Sequence, residues 1–208
     1  VAILTRTRCE KLEIDRGHWV ATLATPSGRQ TVVERAAVNA TGPWVSRFAR
    51  EVSPVSACHS VRLVKGSHIV VPRLYDHRFA YLLQNEDRRI VFAIPYERDF
   101  TLIGTTDVEY MGDPAAVRIT TEEIGYLCAA VSRYFARPVL PEQAVWSYSG
   151  VRPLLDDADA NPSSLTHDYA LELDRHPAPL LSVFGGKITT YRKLAESAVD
   201  MLARELGS

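Results

Sequence analysis

The chain has 208 residues, of which 46% are hydrophobic and 24% are charged. This composition is that of a folded globular protein and excludes a disordered or fibrous chain. The 24 Lys and Arg residues nearly balance the 25 Asp and Glu residues, and the resulting net charge of -1 argues against a protein that coats nucleic acid. We therefore expect no nucleic-acid partner.

The cysteines and the start of the chain limit the cellular context. Cys9, Cys58 and Cys128 form no CxxC and no paired spacing. We therefore expect neither a disulfide framework nor a metal site, and a reducing cytoplasmic compartment fits. No apolar run approaches the roughly 18 residues that span a bilayer. Because the chain begins at Val1 and enters strand-like sequence at once, we expect it to be a piece whose beginning lies elsewhere.

Residues 8–38 predict a β-meander. Polar and apolar residues alternate over 8–14 and 18–25, and a Pro-Ser-Gly turn leads into a third strand over 30–38. The motif Asn-Ala-Thr-Gly-Pro-Trp follows at 39–44. Its small residues end the strand, and its proline suits the first position of a helix over 44–51.

The rest of the chain predicts further strands and two longer helices. Strands are expected at 67–71, 80–84, 90–94, 100–105, 144–151, 169–173 and 180–184, with a loop at 156–164. A helix over 120–135 has a capping box of Thr120 and Glu123. Its apolar face consists of Ile124, Leu127, Cys128, Val131 and Phe135. This order predicts an α+β fold with a mixed, mostly antiparallel sheet and helices on one side.

The last predicted helix, over 190–206, follows a strand that ends in two glycines. Its expected apolar stripe consists of Tyr191, Leu194, Ala195, Ala198 and Leu202. The free N–H groups at its start favour an anion, Lys187 adds positive charge, and Thr189 and Thr190 are candidate caps. A plain turn with a capping threonine fits the same residues.

The motif at 39–44 likewise places a glycine between the end of a strand and the start of a helix. Gly42 allows close contact with a flat or phosphorylated cofactor. The alternative is a tight turn in which Trp44 packs into the core. The two glycine junctions are far apart in sequence but could converge on one anionic ligand.

Three further segments hold candidate site residues. Arg152 ends an apolar strand and suits a carboxylate or phosphate, or else is a buried arginine paired with Asp156 or Asp157. His68 begins a strand and is either a base or a satisfied structural histidine. Residues 104–107 (GTTD) favour a turn with local side-chain caps.

Taken together, six segments resemble the FAD-dependent glycerol-3-phosphate dehydrogenases, the membrane-associated respiratory enzymes rather than the soluble NAD-linked ones. They are 39–44 (NATGPW), 61–72 (VRLVKGSHIVVP), 90–95 (IVFAIP), 103–109 (IGTTDVE), 147–154 (SYSGVRPL) and 179–193 (PLLSVFGGKITTYRK). They extend over nearly the whole chain. No Walker loop, GxSxG, HExxH or GxGxxG occurs, which argues against the usual hydrolases and nucleotide triphosphatases.

The resemblance implies a reaction and an architecture. sn-Glycerol 3-phosphate is oxidised at C2 to dihydroxyacetone phosphate, FAD takes the hydride, and a membrane quinone later takes the electrons. The implied fold is amino-acid-oxidase-like: residues 1–45 complete an FAD-binding domain, 46–178 form the substrate-binding domain, and 179–208 supply the last FAD-binding strand and helix.

The resemblance also implies parts that these 208 residues do not contain. The family's N-terminal GxGxxG unit would precede residue 1, and its C-terminal helical domain would follow residue 208. We therefore expect this piece alone to be inactive. The longer protein would attach peripherally to the inner face of the cytoplasmic membrane, and a homodimer is left open.

The resemblance also implies roles for individual residues, at the positions that match the family's motifs. Arg152 resembles the family's substrate-binding arginine, Lys187 the lysine beside the flavin and the substrate phosphate, and His68 the histidine near the reacting carbon. These three are the expected catalytic and substrate-binding residues. The expected FAD contacts are Ala40, Thr41, Gly42, Gly185, Gly186, Lys187 and Thr189.

The chemistry suits these residue types. Hydride loss from C2 requires the C2 hydroxyl to lose its proton, either to His68 or to Lys187. Arg152 and Lys187 supply two cations for a doubly charged phosphate. One departure is His167, which stands where the family commonly has arginine. It would hold phosphate less well above its ordinary pKa of about 6.5.

Two other functions share these features. An FAD-dependent oxidase of amines or amino acids has the same glycine junctions but needs one arginine rather than an arginine and lysine cluster. A folded binding module without activity of its own fits as well.

Overall fold

The structure is a computed structural model that describes residues 2–54, 59–156 and 169–207. The described residues form two compact units. One contains residues 2–62, 153–156 and 169–207 apart from the gap at 55–58, and the other is Leu63–Arg152. The first unit includes described residues of 46–62 and 169–178, which the sequence analysis assigns to the middle domain. The functional assignment of the domains stays a prediction.

Twelve strands and three α-helices occur in the described residues. The strands are β1 (Arg8–Asp15), β2 (His18–Thr25), β3 (Gly28–Glu34), β4 (Ala37–Asn39), β5 (Val61–Pro72), β6 (Tyr81–Gln84), β7 (Ile90–Tyr96), β8 (Phe100–Gly104), β9 (Val108–Glu109), β10 (Trp146–Leu155), β11 (Tyr169–Asp174) and β12 (Leu180–Gly185). The helices are α1 (Val45–Glu51), α2 (Thr121–Ser132) and α3 (Tyr191–Leu206). Short 3-10 turns lie at Gly42–Trp44, Pro114–Ala116, Pro141–Gln143 and Ile188–Thr190.

The first unit contains two three-stranded sheets. β1, β2 and β3 form an antiparallel meander, as predicted. In the second sheet, β12 lies between β11, to which it is antiparallel, and β4, to which it is parallel. Residues 180–184 are all buried, which explains the continuous apolar run of this central strand. The buried Trp19 of β2 packs with Leu12, Ala178 and Leu180.

The second unit is built on a six-stranded sheet. Its strand order is β10-β5-β8-β7-β6, and β9 pairs with β5. Helix α2 packs on one face, where Leu127, Cys128 and Val131 join the buried Ile69 and Ile103. The predicted capping box is present, since Thr120 accepts from the Glu123 amide and Glu123 accepts from the Thr120 amide.

The α+β class and the mostly antiparallel sheets are confirmed. Several local expectations are wrong. His68 does not begin a strand and Arg152 does not end one, because β5 begins at Val61 and β10 continues to Leu155. The strand expected at 30–38 is two strands, β3 and β4, in different sheets. The two-residue strand β9 was missed because it is too short to show a period. In α3, Ala198 is buried but Tyr191 is 65% exposed, because periodicity identifies an apolar face without saying how much of it is covered.

Candidate active site

Two turns begin at the same edge of the sheet β11-β12-β4. β4 and β12 are parallel, with Ala37 opposite Leu180 and Asn39 opposite Ser182. The carboxyl ends of parallel strands meet at one edge of a sheet, and in open α/β sheets this edge is where ligands bind. The structure therefore brings the two glycine junctions together at one sheet edge, as the sequence analysis expected.

The first turn is held by Asn39, the last residue of β4, which is 1% exposed. Its Nδ2 donates to the carbonyl oxygen of Val45 at 3.1 Å, and its Oδ1 accepts from Thr41 Oγ1 at 2.7 Å. Gly42 follows with a φ of +56°, a conformation that favours glycine. Trp44 is 37% exposed, so the alternative in which it packs into the core is wrong.

The second turn carries two glycines in the left-handed region. Gly185 has a φ of +74° and Gly186 a φ of +99°. A Cβ on Gly186 would also lie 3.1 Å from Leu194 Cδ1, so the backbone conformation favours glycine here and a side chain would press on Leu194. Thr190 does not cap α3; its hydroxyl donates instead to the carbonyl oxygen of Lys187 at 3.2 Å.

The predicted cofactor contacts at this edge differ in exposure. Thr41, Gly42, Gly185 and Gly186 are half-buried, whereas Ala40, Lys187 and Thr189 are exposed. Neither α3 nor the 3-10 turn before it has a side-chain cap among the described residues. Their first backbone N–H groups therefore have no side-chain acceptor and can donate to an anion.

His68 lies in the second unit, on β5. It is opposite Gly104 of β8, and its ring stacks on Tyr148 with centroids 4.8 Å apart and planes 8° from parallel. Its Nδ1 is buried and has no hydrogen-bond partner among the described residues, so the satisfied structural histidine is wrong. Burial, and next the positive charge of Arg152, hold the pKa of His68 below its ordinary 6.5. The ring is therefore neutral at pH 7.

Arg152 of β10 is held by a carboxylate and a carbonyl group. Its Nη2 lies 2.7 Å from Asp107 Oδ1 and donates to the carbonyl oxygen of Thr106 at 3.2 Å. A Cβ on Gly66 would lie 2.5 Å from the same Nη2, so glycine at this position leaves room for the guanidinium. The side chain of Arg152 is 35% exposed, and its other N–H groups can still donate to a ligand.

Arg152 does pair with an aspartate, but Asp156 is not that partner. Asp156 accepts from Ser60 Oγ at 3.1 Å and lies 3.5 Å from Arg62 Nε, and Asp157 lies outside the described residues. Asp107 takes this role instead, although it is 45 positions away in the chain. The motif 104–107 thus does more than close a local turn, because its last residue forms an ion pair with a different strand.

A buried polar network beside these residues was missed. Glu123 of α2 and Lys65 of β5 form an ion pair of 2.7 Å, and their side chains are 8% and 7% exposed. Glu123 also accepts from Ser67 Oγ at 3.0 Å and from Thr106 Oγ1 at 2.8 Å. The sequence signals were Glu123, used only as a capping residue, and Lys65, a charge inside an apolar strand.

The carboxyl group of Glu123 is ionised. Burial raises its pKa, but the hydrogen bonds from Lys65, the Thr120 amide, Thr106 and Ser67 together outweigh burial. The net effect is a pKa below the ordinary range of a glutamate. An ionised carboxylate accepts hydrogen bonds and donates none, so it dictates where its neighbours' hydrogens point.

Several sequence-based expectations concern residues that lie outside the described part of the chain. They are the departure at His167, the cysteine at position 58 and, from residue 157 onwards, the loop expected at 156–164. In the part that the structure describes, no helix is both long enough and apolar enough to span a membrane.

Glycine turns at the carboxyl edge of a parallel strand pair, with uncapped N–H groups beside them, are features that suit an anionic cofactor. The profile of the family of FAD-dependent oxidoreductases matches residues 1–192. The chain belongs to this family.

Comparison with individual proteins identifies relatives of this chain within the family. A glycerol-3-phosphate dehydrogenase of Pseudomonas aeruginosa is 51% identical over 201 residues, which is 95% of this chain and 39% of the relative. A D-erythritol 1-phosphate dehydrogenase of Brucella abortus is 46% identical over 203 residues, 96% of this chain and 40% of the relative. The chain thus spans about two fifths of the length of the curated relatives it matches. The resemblance to glycerol-3-phosphate dehydrogenases is confirmed.

A solved structure is similar over the whole chain. The glycerol-3-phosphate dehydrogenase of Bacillus halodurans, complexed with FAD, superposes with a TM-score of 0.82 at 31% sequence identity. The match includes 98% of this chain and 39% of that protein.

Proposed function

We propose that the protein to which this chain belongs oxidises sn-glycerol 3-phosphate to dihydroxyacetone phosphate with FAD as its cofactor. The observation that carries the proposal is the pair of a half-buried, neutral His68 and the neighbouring cation Arg152. A neutral imidazole beside a guanidinium is suited to take a proton from a hydroxyl group of an anionic substrate. The similarity to glycerol-3-phosphate dehydrogenases supports the choice of substrate.

His68 acts as the base in this proposal. Oxidation at C2 removes a hydride from carbon and a proton from the C2 hydroxyl, so the proton needs an acceptor. The lowered pKa of His68 keeps its ring unprotonated at neutral pH. Stacking on Tyr148 holds the plane of the ring. These features favour His68 over the exposed Lys187.

Arg152 orients the substrate. Its contacts to Asp107 and Thr106 both use Nη2, which leaves the Nε and Nη1 hydrogens for a phosphate or hydroxyl oxygen. Asp107 also offsets part of the positive charge of Arg152. The guanidinium is therefore positioned before substrate arrives and has less freedom to lose on binding.

The residues at the edge of the β4 and β12 strands fit FAD. Gly42, Gly185 and Gly186 let backbone approach a planar or phosphorylated group, and the first N–H groups of α3 offer donors for negative charge. When bound, FAD supplies the acceptor for the hydride. Ala40, Thr41, Lys187 and Thr189 are proposed as further contacts, and Lys187 adds a positive charge near the flavin.

One relative points to a second candidate substrate, which should be compared with sn-glycerol 3-phosphate. The D-erythritol 1-phosphate dehydrogenase is 46% identical to this chain, close to the 51% of the glycerol-3-phosphate dehydrogenase. Both compounds are polyol phosphates, so the same arginine and histidine can serve either.

The test measures substrate oxidation by the full-length protein with an artificial electron acceptor. We expect turnover of sn-glycerol 3-phosphate, and a KM raised about 100-fold or more by Arg152→Ala, because one charge-assisted anchor is lost. Arg133→Ala, which removes an exposed arginine at the end of α2, is the matched control. Turnover of D-erythritol 1-phosphate alone would select the second substrate, and turnover of glycine or sarcosine alone would overturn the proposal.

The electron acceptor and location follow from the same proposal. We propose that electrons pass to a membrane quinone and that the protein attaches peripherally to the inner face of the cytoplasmic membrane. A self-associated dimer is compatible with this arrangement. Co-sedimentation of the full-length protein with membrane vesicles and reduction of a soluble quinone analogue would test the attachment and the acceptor separately.

A further inference from the structure

The buried network around Glu123 reaches Arg152 through one residue. Thr106 donates its hydroxyl hydrogen to Glu123 Oε1 at 2.8 Å, and the same hydroxyl accepts from the Ser67 amide at 3.0 Å. The carbonyl group of Thr106 then accepts from Arg152, and the next residue, Asp107, forms the ion pair with Arg152. The Thr106 carbonyl also accepts from Thr105 Oγ1 at 3.0 Å, and the Thr106 amide donates to the carbonyl oxygen of Ser67 at 3.3 Å. Thr106 is 1% exposed, so its polar groups bind protein groups rather than solvent.

The hydroxyl of Thr106 has one hydrogen, and an ionised carboxylate determines its direction. Because Glu123 only accepts, the hydrogen of Thr106 points to it and a lone pair points to the Ser67 amide. The other carboxylate oxygen of Glu123 is occupied by Lys65 at 2.7 Å and by the Thr120 amide at 2.8 Å. Glu123 is therefore held on both oxygens and cannot turn away.

We propose that Glu123 is a positioning residue, which holds Thr106 so that the Thr106 carbonyl and the Asp107 carboxylate aim Arg152 at the substrate. This inference rests on the proposed function, since it takes Arg152 as the substrate-binding arginine. Glu123 touches neither substrate nor cofactor. It acts from helix α2, through Thr106, on a side chain that projects from β10.

The network is more than a buried ion pair that stabilises the unit. Lys65 is satisfied by Glu123 and by the carbonyl oxygen of Arg118, and neither contact needs Thr106. Thr106 is a separate branch, and its removal leaves the Lys65–Glu123 pair in place. The positioning role and the stabilising role can therefore be separated by mutation.

The main variant is Thr106→Val in the full-length protein. Valine keeps the shape and the backbone carbonyl but loses the hydroxyl that Glu123 holds. We expect the KM for sn-glycerol 3-phosphate to rise about tenfold while kcat changes less than about threefold, because a misplaced anchor weakens binding. Thr106→Ser, which restores the hydroxyl, should return KM to within about twofold of the wild-type value.

Glu123→Gln tests the carboxylate itself and should also raise KM about tenfold. Glu122→Gln makes the same chemical change one residue earlier, on an exposed side chain, and should leave KM unchanged. Because Glu123→Gln leaves Lys65 without its counter-charge and can impair folding, Thr106→Val remains the decisive variant.

A control is needed to show that a rise in KM does not come from a loss of stability alone. Ser132→Ala, at the other end of α2, removes a hydroxyl that bonds to Cys128 and Val139 and should lower the melting temperature without raising KM. A second readout is the rise in melting temperature that saturating sn-glycerol 3-phosphate causes in each variant. We expect this rise to shrink in Thr106→Val and to persist in Ser132→Ala.

The outcomes separate this inference from the proposed function. If Arg152→Ala raises KM but Thr106→Val does not, or if Ser132→Ala raises KM as much as Thr106→Val, the positioning role is overturned and the function stands. If the wild-type protein does not oxidise sn-glycerol 3-phosphate, both are overturned. If it does, but Arg152→Ala leaves its KM unchanged, the substrate-binding role of Arg152 and the positioning role of Glu123 are overturned and the reaction stands.

Discussion

His68 shows how the surroundings of one residue change its chemistry. Burial disfavours the imidazolium, and the positive charge of Arg152 disfavours it further, so the pKa of His68 falls below 6.5. In the unfolded chain the same ring titrates near its ordinary value of about 6.5. The folded protein thus keeps a neutral base available at a lower pH than an exposed histidine would.

The first prediction concerns pH. As pH falls below about 6.5, the unfolded state takes up the proton first, so the stability present above that pH decreases as pH falls toward the lower folded-state pKa. The fall of kcat/KM on the acid side should likewise have its midpoint below pH 6.5.

Arg152→Ala removes the repulsion and should raise the pKa of His68, as measured by NMR titration of the imidazole. An identical titration curve in wild type and Arg152→Ala would contradict this account; Arg133→Ala is the control.

Gly104 carries a second prediction at the scale of single residues. A Cβ at this position would overlap the His68 ring, because the two residues are cross-strand partners in β8 and β5. Gly104→Ala should displace the ring and lower kcat/KM at least about 100-fold. Gly150→Ala adds the same methyl group in β10, where a Cβ meets nothing within 4 Å, and should leave the His68 titration as it is. An unchanged kcat/KM in Gly104→Ala would show that His68 tolerates the crowding, and an equal loss in Gly150→Ala would show that the effect does not come from contact with His68.

The types of the site residues were readable from the sequence, but their partners were not. A histidine and an arginine at strand ends next to glycines indicated chemistry. The sequence suggested Asp156 or Asp157 for Arg152 because they are near in the chain. Asp107 is the partner because the pairing of strands brings it close, and a cross-strand contact leaves no mark on local sequence.

At the scale of elements, helix α2 was the most predictable. Its capping box and its apolar face are both local patterns, and the structure has both. The second function of Glu123 was hidden because the side chain that closes the capping box also reaches Thr106, on another segment. Because the capping box by itself accounts for a glutamate at position 123, nothing in the local sequence indicates its second role.

The third prediction separates the cap from the rest of the network. Thr120→Ala removes the acceptor of the Glu123 amide and should lower the free energy of unfolding by about 1 kcal/mol. Thr121→Ala, one residue later and outside the cap, should change it by less than about 0.5 kcal/mol. Urea denaturation monitored by circular dichroism measures both. Equal losses would mean that the cap does not stabilise the start of α2.

Only some features of the strands β4 and β12 were predicted from the sequence. Both glycine junctions were identified from small residues at strand ends. The split of 30–38 into β3 and β4 was not, because the chain leaves one sheet and enters another with only two residues between the strands. That change of sheet places the first turn beside the second.

At the scale of the whole chain, the first unit is assembled from distant segments. Trp19 of β2 donates through Nε1 to the carbonyl oxygen of Pro179 at 2.7 Å, across 160 positions of sequence. The same carbonyl accepts from the Ala37 amide at 3.0 Å. One carbonyl thus links the meander, the start of β4 and the start of β12, although local patterns mark these as unrelated elements.

Periodicity, turn residues and ordered motifs already identified the strands, the helices and the family, because each depends on neighbours within a few positions or on a linear order of residues. The meeting of the glycine turns, the Asp107 partner of Arg152 and the Glu123 network depend instead on which strands pair and in which register. Those contacts join residues that lie between 17 and 143 positions apart. Their geometry arises only when the sheets close and the core excludes water, so that most buried polar groups need a partner within the protein.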